Sequence, residues 1–341
     1  MLDPSPLDDA ALLACARDQF ALPATAVTFL PLGYDANAWA YRLEAGETYF
    51  LKVRRGPAAQ PGLLAPRFVR DHGIEGVPAP LPTRDGALRA SLGGFTVTLQ
   101  PFVAGDATWD IGLSDAQWVA FGSLLRRVHD LPVPSDLAAH LVAETFTPDY
   151  LAFVPALRAR VHGPPPADPL AAELVACWRA NEATIDRLLA ETAALGERLR
   201  AANLPRVLCH ADAHLGNVLS GDDGRLWLID WDSAAFAPRE RDLMFVIGGI
   251  AAGQVSERQT ELFLRGYGPV APDPAALAYY RCAWALQDLA SFGHTVLLDE
   301  TAGEANRREA LRIFTLSFAP DQLVALGLAS AEACTEARDV A

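Results

Sequence analysis

Three oxygen-bearing side chains have the types and spacing for phosphoryl transfer. In His210-Ala-Asp212-Ala-His214-Leu-Gly216-Asn217, Asp212 and Asn217 stand five positions apart, and Asp230 ends the apolar run Leu226-Trp-Leu-Ile229 thirteen positions after Asn217. A hydroxyl that attacks a γ-phosphoryl group needs a carboxylate to orient it and accept its proton, a role that suits Asp212. Mg²⁺ takes oxygen ligands, and one amide oxygen with one carboxylate, Asn217 and Asp230, would hold it without repelling a polyanionic nucleotide. Any one of these residues alone reads equally well as a turn or helix cap. Together they lie on a loop bracketed by apolar β-type runs, with Asp222-Asp223-Gly224 supplying a hairpin turn between the two that follow, so strands carrying a metal site are implied.

Lysine usage is a second signal. Of 28 basic residues, Lys52 is the only lysine. It sits in Thr48-Tyr-Phe-Leu-Lys-Val53, a strand pattern that follows Trp39-Ala-Tyr-Arg-Leu43 across a turn at Gly46, which makes an antiparallel pair. A solvated strand lysine would look the same locally, but in a chain so poor in lysine the single one is less easily arbitrary. His210 and His214 read as loop-shaping hydrogen bonders, because no third nitrogen or sulfur ligand lies at metal-binding spacing.

The loop resembles the catalytic and metal loops of the aminoglycoside phosphotransferase and choline kinase superfamily, relatives of the protein kinases. Phe121-Gly122-Ser-Leu-Leu125-Arg-Arg-Val-His129-Asp-Leu-Pro132 and Pro238-Arg-Glu-Arg241-Asp242-Leu243 resemble two further segments of that superfamily in the same order. The resemblance implies an α+β fold of the bilobal protein-kinase-like type. A small N-terminal lobe with an antiparallel sheet and the hinge would span residues 1–105, and a larger, mainly helical lobe with catalytic loop, metal site and acceptor pocket residues 106–341. It implies an ATP-dependent (or GTP-dependent) small-molecule kinase with Mg²⁺. Lys52 would reach the α and β phosphates, where a compact ammonium suits better than a guanidinium fork. The loop Pro31-Leu-Gly33-Tyr-Asp35-Ala-Asn37-Ala38 would cover the phosphates, with Asn37 as a contact, and backbone groups from Gln100 to Val103 would meet adenine. The protein-kinase signatures Asp-Phe-Gly and Ala-Pro-Glu are absent where Asp230-Trp231-Asp232 and Pro238-Arg239-Glu240 stand.

The sequence departs from the kinase pattern in one place. The acidic partner of the lysine has no candidate, since no Asp or Glu occurs between Lys52 and Asp71, and Gln60 is the nearest polar candidate for the role. The spacing of Pro57, Pro61 and Pro66 argues against a long regular helix there. Within the superfamily, Cys209 to Leu219, Ile229-Asp230-Trp231-Asp232, the segment 237–245 and Tyr279-Tyr280-Arg281 resemble the spectinomycin phosphotransferases. Spectinomycin is a dibasic aminocyclitol, so carboxylates are expected near the attacked hydroxyl: Asp212 is one and Asp232 a second. A metabolite such as choline, homoserine or a sugar is the alternative acceptor, and a nucleotide-binding module without turnover the alternative class.

Composition agrees with a two-lobed enzyme: 341 residues exceed what one compact core usually serves, and 51% are hydrophobic. The net charge of −14 is uneven, with 10 acidic and 9 basic residues in 1–105 against 32 and 19 in the remainder. That field disfavours nucleic acid and favours a cationic small-molecule substrate, although a solvated acidic surface would give the same count. The N-terminal stretch lacks a basic region and no long apolar run occurs, so neither signal peptide nor membrane span is expected. Five scattered cysteines without C-x-x-C spacing read as reduced cytoplasmic thiols. Expected elements are a helix over 7–20; strands near 27–30, 39–43, 48–53 and 96–101; a helix from the Ser114 cap to His129; one long helix from Asp168 to about 199; and helices over 258–267, 275–299 and 307–318. Tyr279, Tyr280, Asp288 and His294 on these last helices read as core or helix-surface residues.

Overall fold

The computed structural model describes residues 5–32, 37–251 and 253–339. The chain packs as two compact units that interleave in sequence. The first comprises Met1–Val142, Val207–Phe236 and Leu262–Gly268; the second comprises Ala143–Arg206, Ala237–Glu261 and Pro269–Ala341.

In the first unit, helix α1 (Asp9–Phe20) starts at an Asp8 cap whose carboxylate accepts from the Ala11 N–H at 2.7 Å. Strands β1 (Ala26–Leu30), β2 (Ala38–Ala45), β3 (Glu47–Arg55), β4 (Ala90–Leu92) and β5 (Phe95–Pro101) form an antiparallel sheet in the order β1-β2-β3-β5-β4. Side chains alternate across a strand. Leu51 and Val53 of β3 therefore join Tyr41, Leu43, Val97 and Leu99 in a core packed with Leu12, Ala16 and Phe20 of α1. Lys52, between them and opposite Ala40 and Thr98, is turned to the other face of the sheet.

The proline-rich segment after β3 is a helix after all, α2 (Gln60–Asp71). Pro57 precedes it, and Pro61 falls in the first turn, where an N–H has no intrahelical partner anyway. Only Pro66 lies in its interior. A short strand β6 (Gly105–Ala107) pairs with Val218–Gly221, which in turn pairs with Leu226–Leu228, the expected hairpin. The helix Asp115–His129 opens with a capping box between Ser114 and Gln117. Its Gly122 marks a close approach: a Cβ there would lie 2.0 Å from the Phe263 carbonyl oxygen and 2.7 Å from the Tyr267 nitrogen.

The second unit is built around the 24-residue helix Pro274–Leu297, which packs against Glu182–Ala202, Glu304–Leu316 and Leu323–Asp339 and is apolar on nearly every side, as a central helix must be. Trp178 stacks on Phe314 with ring centroids 6.1 Å apart. Two sequence expectations are corrected here. The single helix from Asp168 is two, Pro169–Ala180 and Glu182–Ala202, because Asn181 takes φ −111° and ψ 11° and its amide donates to the Cys177 carbonyl at 2.9 Å, a local bond that competes with helix continuation. The helix Leu323–Asp339 was not foreseen. No helix among the described residues is long and apolar enough to cross a membrane.

Candidate active site

The strand Val207–Cys209 delivers the chain into the loop that carries Asp212 and Asn217. Two non-glycine residues of the region occupy left-handed backbone, Ala211 at φ 66° and Asp230 at φ 59°, the sort of local strain that surrounding structure must hold. His210 supplies part of that hold. It is fully buried, its Nε2 lies 2.8 Å from the Ile229 carbonyl oxygen and must therefore be the donor, and its Nδ1 accepts from the Asp212 N–H at 3.3 Å. Its ring meets the edge of Trp231 at 4.7 Å. The Ile229 N–H donates to the Asn217 carbonyl at 2.9 Å, so the Asp212 loop and the Asp230 strand end are tied together.

Asn217 spends its amide nitrogen on Asp212, donating at 2.9 Å to both the main-chain oxygen and carboxylate Oδ2. Its amide oxygen accepts nothing among the described residues and stays available for a cation. His214 approaches Asp212 from the other side. Its Nδ1 accepts from the Gly216 N–H at 3.0 Å, and burial, reinforced by His210 and opposed by Asp230, pulls its pKa down to about 4. The neutral ring thus carries its proton on Nε2, 3.4 Å from Asp212 Oδ1. The carboxylate of Asp212 is oriented by Asn217 through Oδ2.

Lys52 Nζ lies 3.2 Å from Asp230 Oδ1 and 2.7 Å from Asp232 Oδ2. Burial opposes the ammonium charge, but Asp230 and then Asp232 outweigh it and hold the lysine pKa above its ordinary value. Lys52 in turn holds the Asp230 carboxyl below the usual range against the opposing effect of burial. Asp232, expected beside an acceptor, has its charge committed to the lysine and stands 4.0 Å from the Arg54 guanidinium.

These side chains open on one cleft of about 660 Å³, lined by Lys52, Gln100, Val103, Asp212, Asn217, Asp230 and Asp232 together with apolar residues that include Leu30, Leu32, Ala40, Leu63, Leu219 and Ile229. An apolar slot with a few converging polar groups is the usual form of a small-molecule site. Gln100 is in register with Phe50 on β3, and the Phe102 N–H donates to the Thr48 carbonyl at 3.1 Å. The Val103 N–H has no partner among the described residues and is available to a ligand. Of the expected site residues only Asn37 is not in the wall. It is half-buried and its carbonyl accepts from the Arg55 N–H at 2.8 Å; Gly33 to Ala36, the tip of the expected phosphate loop, lie outside the described residues. Sequence reasoning missed the pairing of Asp232 with Lys52 and the approach of His214 to Asp212. The available signal for the first was the second acid of Asp230-Trp231-Asp232, two positions beyond a metal-ligand candidate.

The phosphotransferase enzyme family model, APH, matches residues 26–280. No curated protein sequence matches the chain. Among solved structures, spectinomycin phosphotransferase APH(9)-Ia in complex with ADP and spectinomycin is 28% identical, with 96% of this chain and 99% of that one covered and a TM-score of 0.83. Its AMP-bound complex is likewise 28% identical, with 95% and 99% covered and a TM-score of 0.79. An ethanolamine kinase of Plasmodium vivax shares the fold at 12% identity, with 89% and 83% covered and a TM-score of 0.58. The chain belongs to the APH phosphotransferase family, has its protein-kinase-like fold, and is a nucleotide-using phosphotransferase that acts on a hydroxyl group of a small molecule.

Proposed function

We propose that the protein transfers the γ-phosphoryl group of ATP to a hydroxyl of a cationic small molecule, with an aminocyclitol antibiotic such as spectinomycin as the first candidate. The observation that carries this reading is the convergence, in one cleft, of a carboxylate oriented by Asn217, an amide oxygen left without a partner among the described residues, and a lysine bracketed by two carboxylates. The 28% identical relative over nearly the whole chain binds spectinomycin and ADP, which favours that acceptor class. Residues 1–105 would provide most of the nucleotide contacts and residues 106–341 the catalytic loop, metal ligands and acceptor pocket.

In this mechanism Asp212 receives the acceptor hydroxyl, orients its oxygen toward the γ-phosphorus and takes its proton as the oxygen–phosphorus bond forms and the bond to the β-phosphate oxygen breaks. Asn217 holds the carboxylate in place, so little reorganisation is needed at the moment of transfer. Lys52 neutralises the α and β phosphates, and the Gln100 to Val103 main chain takes the adenine. The donor set fits Mg²⁺: all oxygen, one carboxylate from Asp230 and the amide oxygen of Asn217. When bound, the ion would offset charge on the phosphates.

The test is nucleotide turnover by purified protein with Mg²⁺ against spectinomycin, several aminoglycosides, choline and homoserine. Acceptor-dependent ADP release with an aminocyclitol is expected. Turnover with choline or homoserine alone would keep the chemistry and reject the antibiotic class.

A further inference from the structure

A lysine that must present its ammonium to a polyphosphate needs a carboxylate that remains with it when the nucleotide and its metal arrive. Helix α2 offers none. Its one acid, Asp71 at its far end, is held by Arg67 through bonds of 2.6 and 3.0 Å. Of the two carboxylates that do touch Lys52, Asp230 is the proposed metal ligand, so its charge is claimed by the cation in the working enzyme. Asp232 is nearer, at 2.7 Å against 3.2 Å.

Two features show that Asp232 is built into this position. It sits on the turn Trp231–Ser233, which is anchored by the buried Trp231: its indole N–H donates to the Leu228 carbonyl at 2.9 Å, and the Ala234 N–H closes the turn onto the Trp231 carbonyl at 2.9 Å. The facing surface of α2 is also cut back to admit it. A Cβ on Gly62 would lie 2.2 Å from Asp232 Oδ1 and 3.1 Å from its Cα, so any larger residue there would force the carboxylate to shift beside the lysine. This explains a glycine inside a helix, where glycine is otherwise unfavourable.

We propose that Asp232 is the positioning carboxylate for Lys52, and that Gly62 is the gap in α2 through which a residue of the metal-strand turn replaces the helix acid the sequence lacks. The inference rests on the proposed role of Lys52 toward nucleotide phosphates. It moves Asp232 from the acceptor side, where sequence analysis put it, to the nucleotide side.

Because Lys52 is the only lysine of the chain, its environment can be read without ambiguity. The full-length protein and its D232N, G62A, K52A and D232N/K52A variants would be treated with an amine-acylating reagent, and modification of the Lys52 peptide followed by mass spectrometry. ADP affinity would be measured by calorimetry without acceptor. A paired lysine reacts slowly, so acylation is expected to quicken several-fold in D232N and in G62A. ADP affinity should fall about tenfold in both, the loss typical when a partner that orients a binding group is removed, with no further loss when D232N is added to K52A. G62A displaces the carboxylate without removing it and keeps the test open if D232N folds poorly. Unchanged acylation and ADP affinity in both variants would overturn the proposal, as would additive losses in the double variant. A defect confined to the acceptor KM would return Asp232 to the acceptor site. Failure of every acceptor in the turnover panel would count against the proposed substrate, while the acylation and ADP results would stand by themselves.

Discussion

The carboxylates of the cleft and the one in the middle of the helix Pro274–Leu297 are treated in opposite ways. In the cleft, Asp212 is held by Asn217, and Asp230 and Asp232 share Lys52. In the second unit other acids are likewise matched, Asp168 with Arg307 and Glu332 with Arg187, yet Asp288 has no such partner among the described residues and burial alone sets its pKa near 7. Withdrawing a charge from water is costly unless a partner compensates for it. The cleft therefore carries its compensation internally and is ready to act before any ligand enters. Asp288 lacks such compensation among the described residues, and burial favours its protonated form.

The sharpest way to break the comparison is at Asp212. If this prearranged carboxylate takes the hydroxyl proton, Asp212→Ala should lower kcat by about 10³-fold, within the range of general base catalysis, while nucleotide affinity barely moves. Equal, modest losses in both would mean that its bond with Asn217 serves the loop and not the reaction. Asp230→Ala comes next. It should abolish the Mg²⁺-dependent part of nucleotide binding, seen as matching titrations with and without the metal; a surviving metal effect would place the ligand elsewhere. Lys52→Ala removes a charged hydrogen-bond donor, worth roughly 1.5–3 kcal/mol, so the nucleotide KM should rise tenfold or more. An unchanged KM and kcat would make its solitary status an accident of composition.

How far the sequence could be read follows from the range of each interaction. Asp212 and Asn217 act within five positions and Asp230 follows within one hairpin, so residue type and spacing reveal the cluster. The β2–β3 pair and the Ser114 cap are equally local, and both were expected. Helix α2 was not, because proline was weighed without its position in the turn: Pro61 at the start costs no hydrogen bond. The break at Asn181 also escaped, because the amide's choice between solvent and the Cys177 carbonyl depends on neighbours that periodicity does not record. The partner of Lys52 stands 180 positions away. No spacing rule joins two such residues; only the turn of β3 toward the cleft and the bare surface of Gly62 do so.

The smallest expected effect concerns Asp288 and sharpens the other half of the comparison. Its folded pKa, near 7, lies above the ordinary value of 3.8, so the native state binds its proton more tightly than the unfolded chain does. The resulting destabilisation is absent below the unfolded pKa, grows as pH rises through the interval, and is complete above about 7. Asp288→Asn should accordingly melt with the wild type near pH 4 and about 2 °C above it at pH 8, an allowance kept small because the side chain is only half-buried. Identical melting at both pH values would make Asp288 an ordinary solvated carboxylate.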